Sequence, residues 1–340
     1  MKPASLVRRL TGLLLGSLIA TSAWADNLPI KFTLDWKFQG PTSAFLLALH
    51  EGYYEEEGLD VTIDSGKGSA GAVIRVATGA YDMGFADINA LIEYNSQNQD
   101  KAIKSVMMFY DAAPFSLFTT KSKNISGPKD LEGKTLGAPV FDASYKLFPA
   151  FAAATGINPD SVKRSNMDPA LREAMMARGE VDFISGHYFS SYLDLKSKGV
   201  KESDLVIMMY ADYGLDFYGN SVIASPAMVK ENPEAVRAFL RATLRGLKAL
   251  LKNPDAGIEA TLKTDPLIDA KLERERLDLA IRANIMTPYV KQNGFGNIDS
   301  ARMGRAVDQL ALAYGLARKP AVSEIFTDAY LPAKSERMLP

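Results

Sequence analysis

The chain has 340 residues, of which 47% are apolar, and its 39 basic and 40 acidic side chains give a formal net charge of -1. This length predicts about two domains, and the balanced charge argues against nucleic acid or an anionic membrane as a partner. The absence of cysteine excludes disulfides, a thiolate nucleophile and a cysteine metal site.

The first 25 residues have the order of a secretory signal peptide. A basic start precedes the apolar stretch LTGLLLGSLIA, and Ala23, Trp24 and Ala25 form an A-x-A cleavage site. The apolar stretch is shorter than the roughly 20 residues that span a bilayer. We therefore expect cleavage after Ala25 and a product that is exported to the periplasm.

Strands and helical patterns alternate from residue 30 to residue 111. The strand-like segments are IKFTL (30–34), LDVTID (59–64), YDMGFAD (81–87) and AIKSVMMFYD (102–111). Helical patterns separate them, and such alternation predicts parallel βαβ units in a doubly wound sheet.

A second α/β unit follows over residues 113–213. Its strand-like segments are APFSLFTTK (113–121), TLGAPV (135–140), VKRSNM (162–167), VDFIS (181–185) and SDLVIMMY (203–210), and its helical patterns cover 143–155, 169–179 and 187–199. NSVIAS (220–225) is a last strand, and nearly all of the chain from Pro226 onward has a helical pattern. We expect these last helices to pack onto the first sheet.

These segments predict a signal peptide (1–25), a first lobe built from 26–112 and 214–340, and a second lobe at 113–213. Two α/β lobes that are joined by two crossovers form a hinged clamp. Such clamps close around a ligand, and the interface between domains is a favoured position for a small-molecule site.

Four segments carry a resemblance to a known family: ALHEGYYEEEGLDVTI, KDLEGKTLGAPV, GEVDFISG and YGNSVIASPAMVKENPEAVRAFLRATLRGLKALLKNPDAG. They resemble the periplasmic substrate-binding proteins of ABC importers, in the branch of nitrate, alkylsulfonate, taurine and thiamine-pyrimidine-precursor binders. The resemblance implies an α/β clamp of the type II periplasmic-binding-protein fold, with two doubly wound sheets. It also implies a small-molecule ligand, no cofactor, a permease and an ATPase as partners, and a monomer by default.

The stretch LDWKFQGPT resembles the pyrimidine-precursor binders most. Those proteins carry Asp-Trp, an Asn three residues after the Trp, and a His further on. Asp35 and Trp36 match this pattern, whereas Gln39 stands at the Asn position and Thr42 at the His position. The resemblance therefore implies an aromatic platform at Trp36 and leaves the identity of the ligand open.

Candidate contacts in the first lobe follow the strands, at the sheet edge where open α/β sheets bind ligands. Trp36 suits stacking on a planar ring, although a strand end also places such a residue in the core. Asp35 is either a ligand contact or the cap of the following turn. Gln39 offers both a donor and an acceptor to the edge of a heterocycle.

Two further segments of the first lobe reach the same edge. The loop GKGSAG (66–71) either presents N–H groups to an anion or ligand oxygen or is an ordinary turn, with Ser69 and Ala70 as its best contact candidates. Asp87 and Asn89 follow the next strand, and Asp87 is equally suited to capping the helix that begins there.

The second lobe and the second crossover supply the remaining candidates, which are Phe141, Asp142, Tyr145, His187, Tyr188, Tyr192, Tyr213, Asp216 and Tyr218. The four-residue spacing of Tyr188 and Tyr192 is also typical of core packing on one helix face. Together they predict a cleft that is rich in tyrosine, closes over the ligand and contains a few carboxylates.

We expect no arginine in the loops of this cleft, because Arg75 falls in a predicted helix and Arg164 in a predicted strand. Arginine is the usual bidentate partner of an anion. A nitrogen heterocycle is therefore the preferred ligand. A small organic anion held by backbone N–H groups (an alkylsulfonate, taurine, nitrate or an aromatic carboxylate) stays the alternative.

Enzymatic function is not expected from these residues. The chain has two histidines, His50 and His187, no G-x-S-x-G elbow and no zinc-ligand spacing. The resemblance extends to a pyrimidine synthase that consumes its own histidine and uses cysteines, and this chain matches neither feature. A ligand-sensing domain of a receptor uses the same clamp and stays a second alternative.

Overall fold

The computed structural model describes residues 27–316 and 318–340, so the predicted signal peptide lies outside the described residues. The strands are β1 Leu28–Thr33, β2 Leu59–Asp64, β3 Met83–Asp87, β4 Lys104–Met108, β5 Phe115–Thr120, β6 Thr135–Ala138, β7 Lys163–Asn166, β8 Phe183–His187, β9 Leu205–Met209 and β10 Asn220–Ala224. They form two five-stranded sheets of order β2-β1-β3-β10-β4 and β7-β6-β8-β5-β9.

Helices cover both sheets. They are α1 Ser43–His50, α2 Tyr53–Glu56, α3 Ser69–Ala77, α4 Ile88–Gln97, α5 Ala143–Lys146, α6 Phe148–Thr155, α7 Arg172–Ala177, α8 Tyr188–Ser197, α9 Pro226–Glu231, α10 Pro233–Lys252, α11 Pro254–Thr264, α12 Ala270–Ala280, α13 Pro288–Asn293, α14 Ser300–Tyr314 and α15 Val322–Ile325. None of these helices is long and apolar enough to span a bilayer.

The two-lobed α/β clamp is confirmed, with one difference in strand direction. β10 runs antiparallel to β3 and β4, and β5 runs antiparallel to β8 and β9, whereas β1–β2, β1–β3, β6–β7 and β6–β8 are parallel. β5 and β10 are the first strands after each crossover. A chain that enters a sheet at the cleft edge must run away from the cleft, so these strands oppose the parallel ones.

The burial pattern of each strand follows its position in the sheet. β2 lies at an edge and alternates, with Leu59, Val61 and Ile63 buried and the residues between them exposed. β3 and β10 lie inside the first sheet and are buried along their whole length. This contrast is expected, because a strand covered on both faces needs apolar or hydrogen-bonded side chains throughout.

The long C-terminal helices contact both the first sheet and the second lobe. Phe239 of α10 packs on Phe32 of β1, with ring centroids 4.9 Å apart. By contrast, α12 and α14 also reach the second lobe: Arg276 donates to the carbonyl of Phe189 at 3.0 Å, and the Tyr314 hydroxyl donates to the carbonyl of Lys146 at 2.5 Å. Two of the C-terminal helices therefore contact both lobes.

Candidate functional site

A cavity with about 480 Å³ of empty volume lies between the lobes, where the crossovers and the carboxyl ends of the parallel strands meet. Six of the residues that the sequence singles out line it, namely Asp35, Trp36, Gln39, Ser69, Asp142 and His187. A cleft between two lobes is a favoured position for a small-molecule site.

Asp35 follows β1 and lies at the first-lobe side of the cavity, 6% exposed. Its Oδ2 accepts hydrogen bonds from Ser69 Oγ at 2.6 Å and from Asn220 Nδ2 at 2.7 Å. Burial, with the negative charge of Asp142 as a smaller cause, raises the pKa of this carboxyl to about 6, although the hydrogen bonds from Ser69 and Asn220 act to lower it. Asp35 is therefore anchored through one oxygen by two elements that are far apart in the sequence.

Asn220 opens β10 and adds an acceptor to the same wall. Its Oδ1 is buried and has no hydrogen-bond partner within residues 27–316 and 318–340. A buried polar atom without a partner costs free energy, so a donor arriving from the cavity would relieve that cost.

Trp36 faces the second lobe across the cavity. The guanidinium carbon of Arg172 lies 5.0 Å from the centroid of the Trp36 ring, within the range of a cation–π contact. Phe85, Tyr110 and Phe189 also line the cavity, which gives it an aromatic wall on both sides. The Tyr110 ring stands edge-on to Phe85 at 5.4 Å and to Phe189 at 5.7 Å.

Arg172 overturns the expectation that the cleft contains no arginine. It begins α7, lines the cavity and is 1% exposed. Its Nη1 donates to Asp142 at 3.0 Å, its Nε to Glu173 at 2.8 Å and its Nη2 to Ser191 at 2.9 Å. The helix pattern hid this residue because a charged side chain in a first turn usually points to solvent.

Three amides of the glycine-rich loop donate to backbone carbonyls. Gly66 donates to the Trp36 carbonyl at 3.0 Å, Gly68 to the Asp35 carbonyl at 2.6 Å and Ala70 to the Phe141 carbonyl at 3.3 Å. These three amides are therefore already used, and the loop serves to fix the backbone on either side of Asp35.

Polar contacts between the lobes hold the cavity closed at its floor. Ser190 Oγ of the second lobe donates to Gln39 Oε1 of the first lobe at 2.9 Å. Thr42, which lines the cavity at the position of the family's His, donates to the Gln39 carbonyl at 3.0 Å. Gln39 is thus fixed from both lobes, and its side-chain oxygen is already used.

His187 ends β8 and lies between the rings of Phe115 and Phe189, with centroids 5.7 and 5.6 Å away. Burial, with the charge of Arg172 as a second cause, lowers its pKa to about 3. The imidazole is therefore neutral and offers one donor and one acceptor.

Two of the predicted first-lobe contacts lie beneath the cavity instead of on its wall. Asp87 caps α4 by accepting from the backbone N–H groups of Asn89 and Ala90, and burial raises its pKa well above the usual value. Asn89 Nδ2 donates to the Tyr218 carbonyl at 2.8 Å. The capping alternative thus describes the position of Asp87.

The predicted tyrosines also lie outside the cavity. Tyr188 and Tyr192 stack on each other at 5.4 Å in the second-lobe core, because the cleft face of α8 is formed by Phe189 and Ser190. Tyr145 lies under Arg164, and Tyr213 packs edge-on against Phe151. The expectation of a cleft closed by tyrosines is therefore corrected.

The remaining candidates have other neighbours. Tyr218 is buried with its ring 3.9 Å from the guanidinium of Arg302, which also pairs with Asp216 at 2.9 Å. Phe141 is 46% exposed, and Ala70 is the second residue of α3. These four positions, like the tyrosines above, do not line the cavity.

Several cavity residues that the sequence pattern does not predict lie at recognisable positions in the chain. Tyr110 follows β4 and Asn220 begins the returning strand β10, so both lie where the chain meets the cleft edge. Phe189 and Ser190 lie in the first turn of α8, after His187. The rotation of this helix about its axis determines which residues of the first turn face the cavity. Lys37, Pro41, Gly68, Ala143 and Arg172 complete the lining.

The second histidine lies apart from the cavity. His50 ends α1, and its Nε2 forms a hydrogen bond with Thr264 at 2.9 Å. The described residues contain no group of three histidine or acidic side chains that could hold a metal ion.

Comparisons with known proteins agree with this architecture. The riboflavin-binding protein RibY of Chloroflexus aurantiacus is 28% identical over 86% of this chain and 82% of its own length. The formylaminopyrimidine-binding protein of Halalkalibacterium halodurans is 24% identical over 95% of this chain and 98% of its own. More distant relatives include proteins named as pyrimidine phosphate synthases.

Among solved structures, the alkanesulfonate-binding protein SsuA of Xanthomonas axonopodis pv. citri, bound to MOPS, matches with a TM-score of 0.70. It is 14% identical and covers 89% of this chain and 99% of its own, which is a likeness of fold. Residues 41–257 match the family described as NMT1/THI5 like. Since this match spans more than half of the sequence, the chain belongs to the NMT1/THI5-like family.

Proposed function

We propose that this protein is the extracytoplasmic substrate-binding component of an ABC importer. In this proposal it captures a small planar nitrogen heterocycle between its lobes. The observation that carries the proposal is the pairing of the Trp36 ring with the acceptors of Asp35 and Asn220 on one wall of the cavity. A free ring that bears N–H donors satisfies both features at once.

The aromatic wall supplies most of the binding free energy in this proposal. Burying the face of a ring against Trp36, Phe85 and Phe189 removes apolar surface from water at about 25 cal/mol per Å². Offset stacking contributes about 0.5–1.5 kcal/mol more to the binding free energy for each aromatic pair. These contributions favour a flat ligand over a flexible aliphatic one.

The polar groups of the cavity select for donors on the ligand. Asp35 has one oxygen held by Ser69 and Asn220, and Asn220 Oδ1 is free to accept. An exocyclic amino group or a protonated ring nitrogen would meet these acceptors. The relatives named for riboflavin and formylaminopyrimidine point to the same chemical class.

The anion alternative is less well supported by the same residues. The amides of Gly66, Gly68 and Ala70 already donate to backbone carbonyls, and the Arg172 guanidinium is already paired with two carboxylates. The charged side chains of the lining balance, with Lys37 and Arg172 against Asp35 and Asp142, so an organic anion would meet no net positive charge in this cavity.

Binding without catalysis is the second part of the proposal. His187 is the one histidine of the cavity, and its low pKa leaves it a poor proton acceptor. We infer that the closed clamp docks on a membrane permease with its ATPase, and that the chain acts in the periplasm as a monomer. The proposed lobe boundaries stay those predicted from the sequence.

A thermal-shift panel on purified protein, unfolded and refolded to strip any bound ligand, tests this function. The panel sets aminopyrimidines, riboflavin and purines against taurine, alkanesulfonates and nitrate. A ligand that binds the folded state alone raises Tm with dose, so we expect shifts from the heterocycles. Dose-dependent shifts confined to the anions would replace this function by the anion alternative.

A further inference from the structure

A buried cluster of charged side chains lies beside the cavity and affects which ligands the site accepts. The inference drawn from it rests on the proposed function and deepens it. Arg172 is flanked by Asp142 and Glu173, and all three are at most 5% exposed. Two carboxylates thus surround one guanidinium, and the cluster carries an excess of negative charge when all three groups are ionised.

The guanidinium has almost no donor left for a ligand. Nε and Nη2 both contact Glu173 Oε1, at 2.8 and 2.7 Å, while Nη2 also donates to Ser191 and Nη1 to Asp142. Arginine has five N–H groups, so one on Nη1 is left without a partner in the described part of the chain. Arg172 therefore cannot form the usual bidentate hydrogen bonds to an anion.

The cluster lies entirely within the second lobe, on the stretch before α5, on α7 and on α8. Gly186 at the end of β8 leaves room for it, since a Cβ there would lie 2.1 Å from Ser191 Oγ and 3.2 Å from Arg172 Nη2. No first-lobe group is needed to hold it together. The pairing therefore persists when the lobes move apart to admit a ligand.

Arg172 also covers one face of Trp36. Its guanidinium carbon lies 5.0 Å from the ring centroid. A flat ligand inserted between them would need about 7 Å, twice the carbon–carbon contact distance of about 3.5 Å. The ligand ring must therefore stack on the other face of Trp36 or displace this contact.

We propose that Glu173 and Asp142 mask Arg172, and that this mask makes the cleft accept a donor-bearing heterocycle and refuse a sulfonate-type anion. Arg172 then covers one face of Trp36 as a charge-compensated side chain. Glu173, which does not line the cavity, is a specificity-determining residue that acts through Arg172.

The substitution Glu173→Gln tests the mask with little disturbance of the fold. A single oxygen of Glu173, Oε1, accepts both the hydrogen bond from Arg172 Nε and the one from Ser191 Oγ, each at 2.8 Å. A glutamine oxygen can accept the same hydrogen bonds, so the change removes charge and retains the contacts. Adding Asp142→Asn leaves the guanidinium without a directly paired carboxylate.

The measurement is isothermal titration of 1-pentanesulfonate and of riboflavin into the stripped wild type, E173Q and the E173Q/D142N double variant. Sulfonate affinity should rise at least tenfold from the wild type to E173Q and again to the double variant. The control is Glu180→Gln, which breaks the exposed Arg178–Glu180 pair of the same lobe and should leave both affinities unchanged.

Each outcome separates the mask from the proposed function. Sulfonate binding that stays absent or unchanged across the series, with each variant folded by circular dichroism, would overturn the mask whatever riboflavin does. Tight sulfonate binding by the wild type would also overturn it. A sulfonate gain in the variants supports the mask even if no heterocycle binds the wild type, and in that case the proposed function alone fails.

Discussion

Single side chains give the cleft its chemistry, and Trp36 and Asp35 dominate at this scale. Trp36 supplies a flat apolar face, and Asp35 supplies an anchored carboxylate whose pKa is close to 6. Both follow directly from the end of β1, so the position of one strand end sets the distance between the stacking face and the acceptor.

Removing the ring of Trp36 should weaken heterocycle binding at least about 30-fold, as for a central aromatic anchor worth about 2 kcal/mol. Trp36→Phe retains a smaller face and should lose about tenfold or less. The matched control is Tyr53→Ala, which removes another aromatic under an arginine, with Arg245 at 4.2 Å. Titration calorimetry of the three variants decides, and equal affinities for Trp36→Ala and wild type would contradict the stacking role.

Asp35→Asn should raise the stability of the ligand-free protein at pH 7 and weaken ligand binding. The folded-state pKa of Asp35, about 6, lies above the ordinary value of 3.8. The folded protein therefore retains a proton that the unfolded chain releases between about pH 4 and 6, and stability falls as pH rises through that window.

The gain from Asp35→Asn should be on the order of 3 kcal/mol above pH 6 and should vanish below pH 4. Urea unfolding of both proteins at pH 3.5, 5 and 7 measures it. A difference in stability that does not change with pH would show that Asp35 does not carry the titration. Heterocycle affinity of the wild type should rise from pH 5 to pH 7, as the carboxylate forms.

At the scale of elements, close helix packing holds the first lobe beneath the cleft. Helix α10 lies against α1 at Gly246, where a Cβ would come within 2.3 Å of the Ala44 carbonyl oxygen. Since α1 follows the loop that carries Trp36 and Gln39, this crossing supports the cleft floor from behind.

Gly246→Ala should therefore destabilise the protein by about 1–3 kcal/mol, the usual cost of overpacking a core. Gly304→Ala is the matched control, because Gly304 also lies inside a helix but a Cβ there meets nothing within 4 Å. That substitution should stabilise by about 0.5–1 kcal/mol through helix propensity. Chemical denaturation measures both, and equal effects at the two glycines would contradict the role given to the α1–α10 contact.

Sequence periodicity predicts most elements, because burial on one face or both faces imposes its pattern on the residues. β2 shows this clearly, with its alternating burial. The pattern fails where tertiary packing determines the environment of a side chain. It does not predict that Arg172 is buried, because that burial depends on its pairing with Asp142 and Glu173. It also does not predict which side of α8 faces the cavity. Trp36, Asp35 and Gln39 are predictable because a strand end fixes the cleft edge.

For the whole molecule, the lobes are joined by more than the two crossovers. Arg276 of α12 donates to the carbonyl of Ser190 at 2.8 Å and to Asp194 Oδ1 at 2.7 Å, and it pairs with Glu273 at 3.0 Å. Glu273 in turn accepts from the Gly40 amide at 2.7 Å. This network runs from the first-lobe cleft loop through α12 to the second lobe.

Arg276→Gln should open the clamp, although Arg276 does not line the cavity. Losing a buried ion pair should cost about 3–5 kcal/mol, raise the radius of gyration of the ligand-free protein and lower ligand affinity. The control Arg274→Gln removes the exposed partner of Asp278 on the same helix and should change stability by less than about 0.5 kcal/mol. Small-angle X-ray scattering that gives identical radii for both variants and the wild type would contradict the bridging role.

The central claim is that a planar ring binds against Trp36, and tryptophan fluorescence tests it most directly. In a Trp24→Phe chain, Trp36 is the only tryptophan. The account predicts that an aminopyrimidine or riboflavin changes this emission saturably, with the same midpoint as the heat of binding. Saturable heat with unchanged Trp36 emission, or saturation by alkanesulfonates alone, would contradict it.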